Sequence, residues 1–116
     1  MRMTKAEIIG LIEKANKLLD EDDPLDASEK LYKAAEESIK VLAIMENPTL
    51  DNSNYWSART LWDQVEILKN IYGDELRDSW DTAWTLHTQG FHEHLLSREQ
   101  ILERMQKIVD LVNLIK

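Results

Sequence analysis

The chain has 116 residues, a formal net charge of −8, 43% hydrophobic residues, three glycines, two prolines and no cysteine. That length suits one domain, residues 1–116, with a single buried core, and the missing cysteines exclude a disulfide framework, a thiolate metal site and a cysteine nucleophile together. The acidic balance argues against general nucleic-acid binding, which rests on Lys and Arg neutralising phosphates.

The opening residues, "MRMTKAEIIGLIEK", carry Glu7 and Glu13 and no apolar run long enough for a signal peptide or a membrane span, so a soluble cytoplasmic protein is expected. Few breakers with abundant Ala, Leu, Ile, Glu and Lys point to helices. Thr4 with Glu7 three residues on is a capping box, so a first helix is predicted from about Lys5, with Ile8, Leu11, Ile12, Ala15, Leu18 and Leu19 on its apolar face. It ends in "DEDD", Asp20 to Asp23, because carboxylates at a helix C-terminus oppose the macrodipole.

Asp23 is the predicted N-cap of a second helix, with Pro24 at its first position. This helix runs to about Glu46 with Leu31, Tyr32, Ala35, Ile39, Leu42 and Ala43 on one face; Glu29 with Lys33 and Glu36 with Lys40 form i,i+4 pairs on the other. "NPTLDNSN", Asn47 to Asn54, is the one long connection. A third helix is expected from about Tyr55 to Tyr72, stopped by Gly73.

The fourth begins near Asp74 and repeats apolar positions at Leu76, Trp80, Ala83, Trp84, His87 and Phe91; Gly90 weakens it without ending it. Ser97 with Gln100 is a second capping box, opening a fifth helix whose Ile101, Met105, Ile108, Val112 and Ile115 run to the C-terminus. The fold class is all-α, an antiparallel bundle of about five helices.

All three histidines lie within "AWTLHTQGFHEHLL". On a continuous α-helix His94, seven residues after His87, nearly eclipses it at about 10 Å along the axis, while His92 is turned away by about 140°. Three ligands cannot then converge on one ion, and "HEHLL" has Leu96 where a zinc-protease motif needs its second histidine. No metal and no cofactor are expected. His87 continues the stripe Leu76, Trp80, Ala83 inward or toward an interface, His92 reads as solvent-exposed and His94 as intermediate.

Trp80 and Trp84, one turn apart, with Trp56 and Trp62 in the third-helix region, read as core or interface, with an aromatic-lined pocket as the alternative. Asp74, Glu75, Asp78 and Asp81 read as solvated charge in the first turns of the fourth helix. Neither a phosphate-cradling glycine loop nor a nucleophile motif is present.

Two segments, "ASEKLYKAAEESIKVLA" from Ala27 to Ala43 and "AWTLHTQGFHEHLLSREQI" from Ala83 to Ile101, resemble the archaeal PaREP-type proteins, a branch of the HEPN superfamily of small helical bundles. The resemblance implies an HEPN-like bundle that pairs as a homodimer. It also raises metal-independent ribonuclease activity, from an Arg followed after four to six residues by a His in a composite site across the dimer. In this chain the corresponding positions are Trp80, Asp81 and Thr82 before His87, Thr85, Leu86 and His87 before His92, and His87, Thr88 and Gln89 before His94.

Arg77 precedes His87 by ten residues, about 15 Å along a helix, and could meet a histidine only from another chain or through a kink. The expected function is therefore that of a non-catalytic homodimeric bundle acting through protein interaction or through small-ligand or nucleotide binding. Its interface or ligand residues are expected to be Trp80, Trp84, His87, Phe91 and His94. The alternative is a divergent ribonuclease, with His87 as acid or base and Arg77 on the phosphate. A third reading, by superfamily analogy, is a nucleotide-binding partner of a separately encoded nucleotidyltransferase.

Overall fold

A computed structural model describes residues 2–52 and 56–116. The elements are α1 (Lys5–Asp20), α2 (Pro24–Glu46), a 3₁₀ turn (Pro48–Asn52), α3 (Ala58–Tyr72), α4 (Asp74–Thr85), a π-helical segment (Leu86–His92) that continues α4 without a break, and α5 (Arg98–Val112). There is no strand among the described residues.

The helix starts follow the capping chemistry. Thr4 and Ser97 each make both halves of a capping box, with Glu7 and Gln100, and Asp23 accepts from the Asp26 backbone ahead of Pro24. Asp22, in the turn between α1 and α2, sits in the left-handed region at φ 61°. For α3 the start expected at Tyr55 lies outside the described residues; the helix itself begins at Ala58 under an Ser57 cap. Gly73, at φ 95°, ends it and leads straight into α4. At the far end α5 stops at Val112 rather than continuing to Lys116, and Ile115 is buried from a turn that follows the helix.

The longest helix, α2, packs against every other element, and its length of about 35 Å sets the long dimension of the 41 × 24 × 23 Å molecule. Leu31, Ala35, Ile39 and Leu42 are fully buried on it, facing Ile8 and Leu19 of α1, Leu61 and Leu68 of α3, and Ile101 and Ile108 of α5 in one core. At the end of α1, Arg98 of α5 donates its Nε to the Leu19 carbonyl at 3.0 Å, satisfying an end carbonyl and placing positive charge at the negative pole of the helix.

The charged face of α2 differs from the expected i,i+4 pairing. Glu37 is only 5% exposed, and a carboxylate there has to be compensated, so Lys40 at 2.9 Å and Lys33 at 3.6 Å turn to it. Glu36 then shares Lys33 at 3.5 Å, and Glu29 pairs with its neighbour Lys30 at 3.0 Å.

Gly90 is buried where the π-helical segment crosses α2. A Cβ at this position would stand 2.8 Å from the Cβ of Ser28, closer than side chains tolerate, so the absence of a side chain sets the approach of the two helices.

Two stability changes follow from this packing. Leu42→Asp or Ile39→Asp puts an uncompensated charge into a site with no exposure and should cost roughly 4 kcal/mol or more, leaving a chain without cooperative melting by circular dichroism. Gly90→Ala should lower stability by about 1–3 kcal/mol in spite of the better helix propensity of alanine, and adding Ser28→Gly should recover much of that loss in urea titrations.

Candidate functional site

The fourth helix does not stay α-helical through its histidines. From Leu86 its hydrogen bonding widens: the Glu93 N–H donates to the Thr88 carbonyl at 2.9 Å, and the Leu95 N–H reaches back to the Gln89 carbonyl at 2.7 Å. Under i→i+5 bonding, residues five apart lie one above the other, which residues four apart do in an α-helix. His87 and His92 are five apart.

Their imidazoles are therefore neighbours, with ring centroids 4.5 Å apart and planes at 81°. The expectation that His92 turns away from His87 is corrected, because it assumed an α-helical register. His92 is nevertheless exposed, as expected. His94 lies beyond the π-helical segment, exposed and at φ 57°, and is not among the aromatic neighbours of the other two.

The half-buried imidazole of His87 stacks on Tyr32 of α2, with centroids 4.1 Å apart and planes at 21°. Trp84 lies 5.3 Å from His87 and 6.3 Å from Tyr32, and Trp62 of α3 meets Trp84 edge-on at 5.4 Å. Phe91, half-buried, touches His92 at 5.2 Å. A continuous aromatic face thus runs from Trp62 through Trp84, His87 and Tyr32 to His92 and Phe91.

Trp80 is not at its surface. It is fully buried and backs the face from the core, 5.8 Å from Tyr32 and 5.9 Å from Trp62, so its expected place in an interface or ligand site gives way to a supporting one. Trp62 was weighed with the other tryptophans as core, interface or pocket, whereas Tyr32 was not singled out, since it continues an apolar stripe. The one local signal was a tyrosine, with a polar hydroxyl, one helical turn before Glu36 on an inward face.

Burial, above all, and then the negative charge of Glu36 push the Tyr32 hydroxyl up to about 12, so it stays protonated at neutral pH. The pKa of His87 moves the other way. Burial lowers it first, the His92 imidazole lowers it further, and Glu36 opposes both.

Arg77 is held elsewhere. Its guanidinium pairs with Glu66 and, at 3.0 Å, with Asp81, and its Cζ lies 5.2 Å from the centre of the Trp62 ring. These contacts turn its Nε and one Nη to two carboxylates, and its placement beside a histidine is not observed. Of the four acids expected to be solvated at the start of α4, Asp81 is thus tied to Arg77, and Asp74 is 4.0 Å from Lys69.

Among the described residues no three His, Asp or Glu side chains are grouped to hold a metal ion. An open cleft of about 540 Å³ lies elsewhere, between Arg2, Lys5, Val41, Met45 and Ile115. Its cations are engaged, Arg2 with Asp51 at 2.6 Å and Lys5 with the Ile115 carbonyl at 2.8 Å. No described helix is long and apolar enough to cross a membrane.

Against known proteins, the model of the archaeal PaREP1/PaREP8 family matches residues 4–112. The fold is similar to a crystal structure of a Sulfolobus solfataricus protein, at 33% identity and a TM-score of 0.81, covering 98% of this chain and 95% of that one. It is also similar to a solution structure of the same structural-genomics target, at 34% identity and a TM-score of 0.76, covering 96% of this chain and 88% of that one. None of the curated proteins matches the chain.

The environment of His87 makes stability depend on pH. Because its folded pKa lies below the unfolded value of about 6.5, the unfolded chain takes up the proton first. The contribution is complete above about pH 6.5 and is lost as pH falls through the folded value. The melting temperature should fall between pH 7.5 and pH 5.5, and His87→Phe, which keeps an aromatic ring against Tyr32 without a titrating group, should show a smaller fall.

Proposed function

The chain belongs to the archaeal PaREP1/PaREP8 family, and we propose that it is a non-catalytic, homodimeric interaction protein whose two copies meet through the aromatic face of α4 and the π-helical segment. The observation that carries this reading is the half-exposed run of rings formed by Trp84, His87 and Phe91 from three successive turns of one helix with Tyr32 of α2 among them. Aromatic rings with one face packed and one open supply large contact area at little conformational cost, which suits an interface core. The occupant is a second copy because stacked rings are self-complementary across a two-fold axis, and the HEPN-like resemblance implies the same arrangement.

Arg77 supports the non-catalytic reading. A phosphate-stabilising arginine offers uncompensated positive charge, whereas this one sits between the carboxylates of Glu66 and Asp81. The second reading, a divergent metal-independent ribonuclease, draws on a single observation, the side-by-side imidazoles of His87 and His92, one of which could take a proton while the other gives one. Cleavage of an end-labelled RNA pool in EDTA that disappears in His87→Ala would select it.

Light scattering at low micromolar concentration should give twice the mass of one chain, and Phe91→Asp, which sets a carboxylate in the contact, should give a monomer. Since each copy carries a net charge of −8, added salt should tighten the pair by screening repulsion. A monomer at low micromolar concentration in both low and high salt would contradict self-association.

A further inference from the structure

We propose that His87 and His92 chelate a single late-transition-metal ion, of the Zn²⁺ or Cu²⁺ class, as a two-histidine site built by the π-helical segment. In an α-helix the pair of positions able to grip one ion from one face is i and i+4; where the helix hydrogen-bonds i→i+5, it is i and i+5. That is the spacing of the two histidines, and the widened segment, Leu86–His92, spans both.

The separation of the rings fits such an ion. With metal–nitrogen bonds of about 2.0–2.1 Å, two imidazoles bound at about 90–110° have ring centres roughly 4.5–5.2 Å apart. The observed separation is 4.5 Å, with planes at 81°. His92 is exposed and can turn a ring nitrogen toward the ion without disturbing the core, while His87 is fixed by its stack on Tyr32. One ligand is thus held and the other adjustable.

Glu36, one turn beyond Tyr32, acts electrostatically on His87 and favours a cation there. In a single chain His92 is exposed, and the remaining coordination positions are left to water. Both ligands belong to one chain, so the site needs no residue from a second copy.

The test is calorimetric titration of the intact chain with Zn²⁺ alone at pH 7.5, beside His92→Ala and His94→Ala, each shown by circular dichroism to be folded. Wild type should take up one ion per chain, His92→Ala should bind at least tenfold more weakly because the chelate is reduced to one ligand, and His94→Ala should match wild type within twofold. Cu²⁺ should also quench tryptophan emission, since Trp84 lies 5.3 Å from His87, and this quenching should be lost in His92→Ala. Absence of binding by wild type, unchanged affinity in His92→Ala, or an equal loss in His94→Ala would overturn the site.

Discussion

The contact on which the rest of the site depends is the close approach of α2 to the π-helical segment at Ser28 and Gly90. Both residues are buried, and a side chain larger than hydrogen at position 90 would collide with the Cβ of Ser28. Held at that distance, α2 brings Tyr32, one turn beyond Ser28, up to the ring of His87. With Trp80 wedged behind them in the core, the face is supported from two helices at once.

The widened helical segment adds the second element of the site. It leaves His87 on the stripe it shares with Leu76, Trp80 and Ala83 while bringing His92 beside it, an arrangement a continuous α-helix denies. The consequence is a pair of imidazoles in different surroundings, one half-buried against tyrosine and tryptophan and one in solvent. The proposed contact face and the proposed two-histidine site both draw on that asymmetry. Burial and the neighbouring His92 hold the pKa of His87 below its ordinary value, and Arg77 pairs with Glu66 and Asp81 rather than with a histidine.

The bundle was legible in the sequence because its signals are local. Thr4 with Glu7, Asp23 with Pro24, and Ser97 with Gln100 mark helix starts by hydrogen bonds within a few residues, and stripes such as Leu31, Ala35, Ile39 and Leu42 repeat at the helical period. The site was legible only in part. His87 could be placed inward from its stripe, but the position of His92 depends on a change of helical register that no residue type announces.

Tyr32 read as another core position because its role comes from a long-range partner more than fifty residues later in the chain. The expected pairing of Glu36 with Lys40 failed for a similar reason: burial of Glu37, set by tertiary packing, redirects both lysines. Trp80, read as core or interface, lies in the core, because helical spacing gives a direction but not the depth of packing that decides between the two.

The most direct measurement is of proton contacts in a nuclear Overhauser spectrum of the isotope-labelled protein, with the ring resonances of His87, His92 and Tyr32 assigned. A π-helical register predicts cross-peaks from the His87 ring to both the Tyr32 ring and the His92 ring. Contacts from His87 to Tyr32 with none to His92, alongside α-type i,i+4 backbone contacts through residue 92, would show that the helix keeps its ordinary register and that the paired-histidine face does not form.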